Sequence, residues 1–378
     1  MDEGNRKSLS EVMHKLKEIP YKPKRMGGRM STSLGSWTDV LPMFLDTQSK
    51  TAGLLYPYPR SFKSVTFPSL DDTPLAGKMA LHKDGKARPG LVFCHGIFGS
   101  KSHNLVRKVA IKAFKHWDYN VLALDLRSFG ESKRLSDAEG TGGWKEAEDI
   151  IGAARYLGSF HEVTTVGVSA YSMGGASALI ASAVDGGEFI TGGVIAWNGY
   201  SDAKRMVDFI SKPPKPWQPY FFVYPVFKTC LGLARRTRGE SDVRIRDFAD
   251  FISYACSGYY CIPADEVYYK SSPKNYLDDI KIPTLHIHSK DDPVVPVLEA
   301  EENMRLSADN PNMDVWIVKR GGHCTFDTVD RNWYENVLQD FFGAWALRQE
   351  RQANFPSSEA KIDSPSLSGS PISHIFAN

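Results

Sequence analysis

Apolar positions in this chain fall into short runs separated by helical spacings, a rhythm that begins at Phe62. Phe62 to Phe67 and Leu75 to Leu81 alternate around Asp71-Asp72, which predicts a hairpin. Beyond it, strand-like runs lie at Gly90 to Cys94, Asn120 to Leu126, Thr164 to Ala170, Ile190 to Trp197, Pro283 to His288 and Met313 to Val318. Between them come helical spacings at Leu105 to Trp117, Trp144 to Leu157, Gly174 to Val184 and Asn332 to Trp345. Strand and helix in alternation predict an α/β fold, a mostly parallel central sheet flanked by helices on both faces. The rhythm breaks between Asn198 and Asp279, a stretch crowded with aromatics from Trp217 to Tyr269. A structureless loop of that length is uncommon in a compact domain. We read residues 198–279 as a largely helical cap inserted between two sheet strands.

This divides the chain into a lead-in segment (1–60), a main domain (61–351) carrying the cap, and a tail (352–378). In the lead-in, Ser8 or Ser10 caps a short helix through Leu16, which Pro20 and Pro23 end. Arg25 to Gly35 reads as a surface wrap. The tail is rich in Ser, Pro and Ala and is expected to be disordered. No internal repeat is present.

Composition narrows the class. Hydrophobic residues are 42% and charged residues 24%, ordinary for a soluble globular protein. A net charge of +2 gives no global field for nucleic acid or anionic lipid, and Lys204-Arg205 and the Arg235, Arg236, Arg238 group read as solvated faces. Five cysteines make no disulfide framework and point to a reducing compartment. The start, Met1-Asp2-Glu3-Gly4, lacks a secretory pattern, and runs such as Phe221 to Val226 are far shorter than the roughly 20 residues a membrane span needs. The expected location is the cytoplasm, with no nucleic-acid partner and no membrane span. Peripheral membrane contact and oligomeric state stay open.

The sharpest chemical signal is Val166-Gly167-Val168-Ser169-Ala170-Tyr171-Ser172-Met173-Gly174-Gly175, a strand running into a Gly-rich turn and an Ala-rich helix. A serine at such a bend is thrust above the sheet, and small residues two before and two after it let strand and helix backbones pass. Ser172 is the expected nucleophile. His95-Gly96-Ile97-Phe98-Gly99 follows the strand ending at Cys94, and its glycines can turn a backbone N–H toward a substrate oxygen. We assign the oxyanion donors to the N–H groups of Ile97 and Met173, with Phe98 the alternative to Ile97, and read His95 as a loop brace. The base is His323, in Gly321-Gly322-His323 after the last strand. Ser289-Lys290-Asp291-Asp292-Pro293 follows the preceding strand, and Asp292 is preferred as the histidine's partner over Asp291, with Asp202 third. Asp125-Leu126-Arg127-Ser128-Phe129-Gly130-Glu131-Ser132, at another strand end, reads as structural. Cys94 beside His95 lacks the companions of a zinc site. No metal or organic cofactor is implied.

Together these residues resemble the α/β-hydrolase superfamily from about Phe62 to Trp345. Within it, the chain is most similar to the YheT-like hydrolases, on Ser271-Ser272-Pro273 with Tyr276-Leu277, Ile282-Pro283-Thr284-Leu285, Asp291-Asp292-Pro293, Asn310-Pro311 and Gly321-Gly322-His323 before Phe326. Ala170 at the bend and Val294 after Asp-Asp-Pro depart from the common pattern. The resemblance implies acyl chemistry at Ser172: a serine esterase that cleaves a medium-length or lipid-like acyl ester through an acyl-enzyme. The alternatives are an acyltransferase using the same three residues with an alcohol acceptor, and a catalytically silent binding protein.

Overall fold

The computed structural model describes residues 8–24, 57–225, 228–229, 231–232 and 246–353. The Arg25 to Gly35 stretch and nearly all of the expected tail lie outside them.

Eight strands form one sheet: β1 (Lys63–Pro68), β2 (Pro74–Ala80), β3 (Arg88–Cys94), β4 (Asn120–Leu124), β5 (Val163–Tyr171), β6 (Val194–Trp197), β7 (Thr284–Ser289) and β8 (Met313–Val318). Their order is β1-β2-β4-β3-β5-β6-β7-β8. β2 pairs antiparallel with β1 and β4, and every other pairing is parallel. β3 to β7 are buried almost throughout, as a sheet covered on both faces requires, and the edge strand β8 is half so.

The helices are α1 (Leu9–Lys17), α2 (Asn104–His116), α3 (Trp144–Gly158), α4 (Met173–Asp185), α5 (Ala203–Ser211), α6 (Ala264–Lys270), α7 (Val297–Leu306) and α8 (Arg331–Ala353), besides shorter turns. α3 and α4 pack one face of the sheet, through Ile150, Ala154, Leu179 and Ile180. α1, α2 and α8 cover the other, through Leu16, Val109, Leu338 and Phe342. Ser8 caps α1, its side chain accepting from the Glu11 N–H at 3.3 Å.

Two boundaries and one element differ most from the sequence reading. β6 begins at Val194 rather than Ile190, because Gly192 and Gly193 turn the chain; a Cβ on Gly192 would lie 2.9 Å from the Gly167 nitrogen. α7 was not anticipated, since its buried face is Glu299, Ala300 and Asn303 and carries no apolar stripe. α8 runs to Ala353, past the start expected for the tail.

Between β6 and β7 the described residues hold helices and turns but no strand. They include α5, a turn at Pro219–Phe222, a helical run from Phe248 to Tyr260 with a wider turn over Ile252–Cys256, α6, and turns at Pro273–Asn275 and Leu277–Asp279.

Candidate active site

β5 ends at Tyr171 and α4 begins at Met173, so Ser172 alone makes the bend, at φ +57 and ψ −123. A left-handed serine costs on the order of 1–3 kcal/mol and persists only where surroundings dictate it. Here its N–H donates to Trp197 O on β6 at 2.8 Å, and its carbonyl accepts the first helical bond, from Ala176 N at 3.0 Å. The small residues around it answer to close backbones. A Cβ on Gly174 would sit 2.3 Å from His95 O, and one on Gly175 would sit 2.9 Å from Trp197 O. Ala170 is wholly buried between Cys94 and Ala196.

β7 and β8 lie two and three strands along from β5 in the sheet, and their C-terminal loops return to this serine. His323 Nε2 stands 2.8 Å from Ser172 Oγ, and its Nδ1 stands 2.8 Å from Asp292 Oδ2. With a carboxylate at Nδ1, that nitrogen carries the proton and Nε2 accepts from the serine hydroxyl. Asp292 is held from its other oxygen by the N–H groups of Val294 and Val295, at 2.7 and 3.0 Å. The histidine loop needs a left-handed residue, and Gly322 supplies it at φ +56.

The partner of His323 Nδ1 is thus Asp292, and Asp291, the fallback in the sequence reading, has another task. Its Oδ1 accepts from the Gly322 N–H at 2.8 Å and so braces the same loop. Asp202 caps α5, accepting from Arg205 N at 3.0 Å, and pairs with Lys274 at 2.5 Å. One residue escaped the sequence reading. Asn198, left-handed at φ +50 just after β6, donates from Nδ2 to Asp292 Oδ2 at 2.6 Å and to Gly322 O at 3.3 Å. An asparagine directly following a buried strand, where the chain must leave the sheet, was the only signal for it.

The loop after β3 passes over the serine. A Cβ on Gly96 would lie 2.8 Å from Ser172 Cβ, so only glycine lets the loop approach this closely. Ile97 and Met173 both line the cavity beside Ser172, and neither backbone N–H bonds to another group among the described residues. Phe98, the alternative donor, is left-handed at φ +59. His95 is buried below: its Nε2 accepts from Leu126 N at 3.1 Å, so its Nδ1 carries the proton given to Gly96 O at 2.7 Å. Burial holds its pKa down to about 4. It ties the Gly96 loop to the turn after β4, as a brace does.

That turn is fixed by Asp125, which accepts from Lys101 N at 2.6 Å and Glu131 N at 2.9 Å and pairs with the Lys101 ammonium. Arg127, buried, grips Asp149 at 2.6 Å and Asp71 at 2.9 Å. Asp125 and Arg127 are therefore scaffolding at the rim, while Ser128, Phe129 and Gly130 of the same stretch line the cavity above Ser172.

Above Ser172 lies a cavity of about 140 Å³, close in size to one that takes a benzene ring. Its walls are mainly apolar: Phe98 and Phe129 from the sheet loops, Met206 and Ile210 from α5, and Phe248, Phe251 and Tyr268. Most other described aromatics between β6 and β7 go elsewhere. Tyr220 and Tyr276 are buried in the core, Tyr260 packs on Trp144, and Trp217, Tyr259 and Tyr269 are exposed. Among the described residues no group of three His, Cys, Asp or Glu side chains could hold a metal ion, and no helix is long and apolar enough to cross a membrane.

Comparison with known proteins agrees with this architecture. An esterase of Pyrococcus furiosus superposes with a TM-score of 0.55 at 19% identity, covering 78% of this chain and 95% of that one. An esterase of Pyrobaculum calidifontis does so at 0.52 and 15%, covering 90% and 98%. At such identities the likeness is one of fold. No curated protein sequence matches significantly. The family model described as "Alpha/beta hydrolase family" matches residues 91–332, which is more than half of the chain. With that match, and with the sheet order and helical layers described above, the chain belongs to the alpha/beta hydrolase family.

Proposed function

We propose that the chain is a carboxylic ester hydrolase that works through an acyl-enzyme on Ser172. The observation that carries this reading is the unbroken hydrogen-bonded chain from Asp292 through His323 to Ser172, opening into a small apolar cavity. As Ser172 Oγ attacks the ester carbonyl, His323 Nε2 takes its proton, and Asp292 stabilises the imidazolium. The N–H groups of Ile97 and Met173 receive the oxyanion, assisted by the N-terminus of α4. His323 returns the proton to the departing alcohol. Water activated by the same histidine then releases the acid. The esterase names of the two archaeal structures favour this chemistry over others the family supports.

Residues 198–279 act as a cap in this reading, supplying Met206, Ile210, Phe248, Phe251 and Tyr268 to the acyl site. A cavity near benzene in size suits a short to medium acyl chain. The YheT-like resemblance is compatible with this substrate class. The described cysteines 94, 256, 261 and 324 are free thiols, which suits a cytoplasmic setting.

The test is labelling with a fluorophosphonate, followed by hydrolysis of p-nitrophenyl esters of graded length. Ser172 takes the label, and Ser172→Ala lowers kcat by about 10⁴–10⁶ without loss of fold. Turnover persisting in that variant refutes the assignment. kcat/KM rises beyond acetate as methylenes enter the cavity, each worth about 0.8 kcal/mol. A steady decline from acetate upward points to a small or polar substrate instead.

A further inference from the structure

The chain between Asp208 and Glu240 contains six Lys or Arg residues and no acid, while the remainder carries 40 cations against 44 acids. The near-neutral total therefore conceals one concentrated basic element. Its described part has both buried and exposed residues. Ile210, Tyr220, Val223 and Leu231 are buried, and Ile210 and Leu231 line the cavity above Ser172. Along the same segment Trp217 is 75% exposed and Phe221 40% exposed, and Lys212, Lys215 and Lys228 are exposed as well. None of these three lysines pairs with a carboxylate among the described residues. Lys215 instead lies over the Trp217 ring, 5.3 Å from its centre.

An exposed tryptophan beside a lysine with no carboxylate partner among the described residues is unusual on a surface that meets only water. Tryptophan has an apolar body and a polar edge and settles at the depth of lipid headgroups. Lys215 over its ring, with Lys212 and Lys228 exposed on the same segment, matches the negative potential of anionic lipid. From this juxtaposition we propose that the Lys212–Lys228 face docks on an anionic bilayer, with Trp217 and Phe221 entering the interface. The wall of the cavity then rests on the membrane, and an acyl substrate dissolved in lipid has a short path to Ser172. That last consequence rests on the esterase reading; the docking itself does not.

The test uses the full chain and sedimentation with vesicles of phosphatidylcholine, with or without one third phosphatidylserine. Binding occurs on the phosphatidylserine vesicles, is weak on neutral ones, and falls as salt rises. The double change Lys212→Glu with Lys215→Glu lowers partitioning at least tenfold, and Trp217→Ala lowers it several-fold. Both variants keep wild-type hydrolysis of a short soluble ester and an unchanged thermal midpoint. Ser172→Ala sediments like the wild type, which separates docking from catalysis. No binding at low salt, equal binding to neutral vesicles, or binding untouched by these variants each overturns the proposal. So does self-association abolished by Trp217→Ala without vesicle binding, which assigns the face to a second copy of the chain.

Discussion

Asp291 and Asp292 are neighbouring carboxylates with separate tasks. Asp292 accepts from the His323 imidazole, while Asp291 accepts from the Gly322 N–H. Asp292→Asn is expected to lower kcat by about 10⁴, because an amide cannot hold the imidazole tautomer or stabilise its charge. Asp291→Asn keeps an oxygen acceptor for Gly322 and is expected to stay within about tenfold of wild type; steady-state kinetics on one soluble ester compares the two. Gly96→Ala sets a methyl against Ser172 and the Tyr171 carbonyl, 2.8 and 3.0 Å away. It should remove most turnover, with circular dichroism unchanged. That Ser172, Asp292 and His323 lie together was legible in the sequence because each follows a short apolar run, and strand ends of a parallel sheet gather at one rim. Asn198 was not, since its Nδ2 matters only through two partners 94 and 124 residues away.

At the scale of elements, the histidine loop is clamped from the N-terminal side. Tyr21 OH donates to Arg320 O, Lys24 N donates to Val329 O at 3.1 Å, and Arg320 Nη1 donates to Lys24 O at 3.0 Å. The passage after α1 thus flanks both ends of the loop that carries His323. Tyr21→Phe should lower kcat several-fold with little change in KM, because the substrate pocket is untouched; equal changes in both would point to a general loosening. This clamp was invisible in the sequence, where residues 18–24 read as a helix stop. α7 was missed for a different reason. Its buried Glu299 accepts from the N–H groups of Ser201 and Asp202 at 2.9 and 3.0 Å, so polar bonding places it where periodicity expects an apolar stripe.

For the whole molecule, two buried groups pull stability in opposite directions with pH. Burial lowers the His95 pKa to about 4 against 6.5, so its contribution is full above 6.5 and is lost as pH falls through 4. Burial raises that of Glu148 to about 7 against 4.5, so its contribution is present below 4.5 and is lost as pH rises through 7. Glu148→Gln removes the second effect. The gain in unfolding free energy between pH 5 and pH 8 should therefore exceed the wild-type gain by roughly 2 kcal/mol, measured by urea denaturation. An unchanged difference would rule out Glu148 as a contributor. The sheet order was only partly legible, because periodicity shows which segments are strands and not which are neighbours. That order has a consequence during synthesis. Ser172 precedes His323 by 151 residues, and β7 and β8 are the last strands made. At about 5–20 residues per second, roughly 8–30 seconds pass between the emergence of the two. Throughout that interval the nascent chain carries Ser172 without the histidine that the proposed mechanism makes its base. Ribosome-bound chains stalled before residue 323 should accordingly resist the fluorophosphonate that labels the released protein.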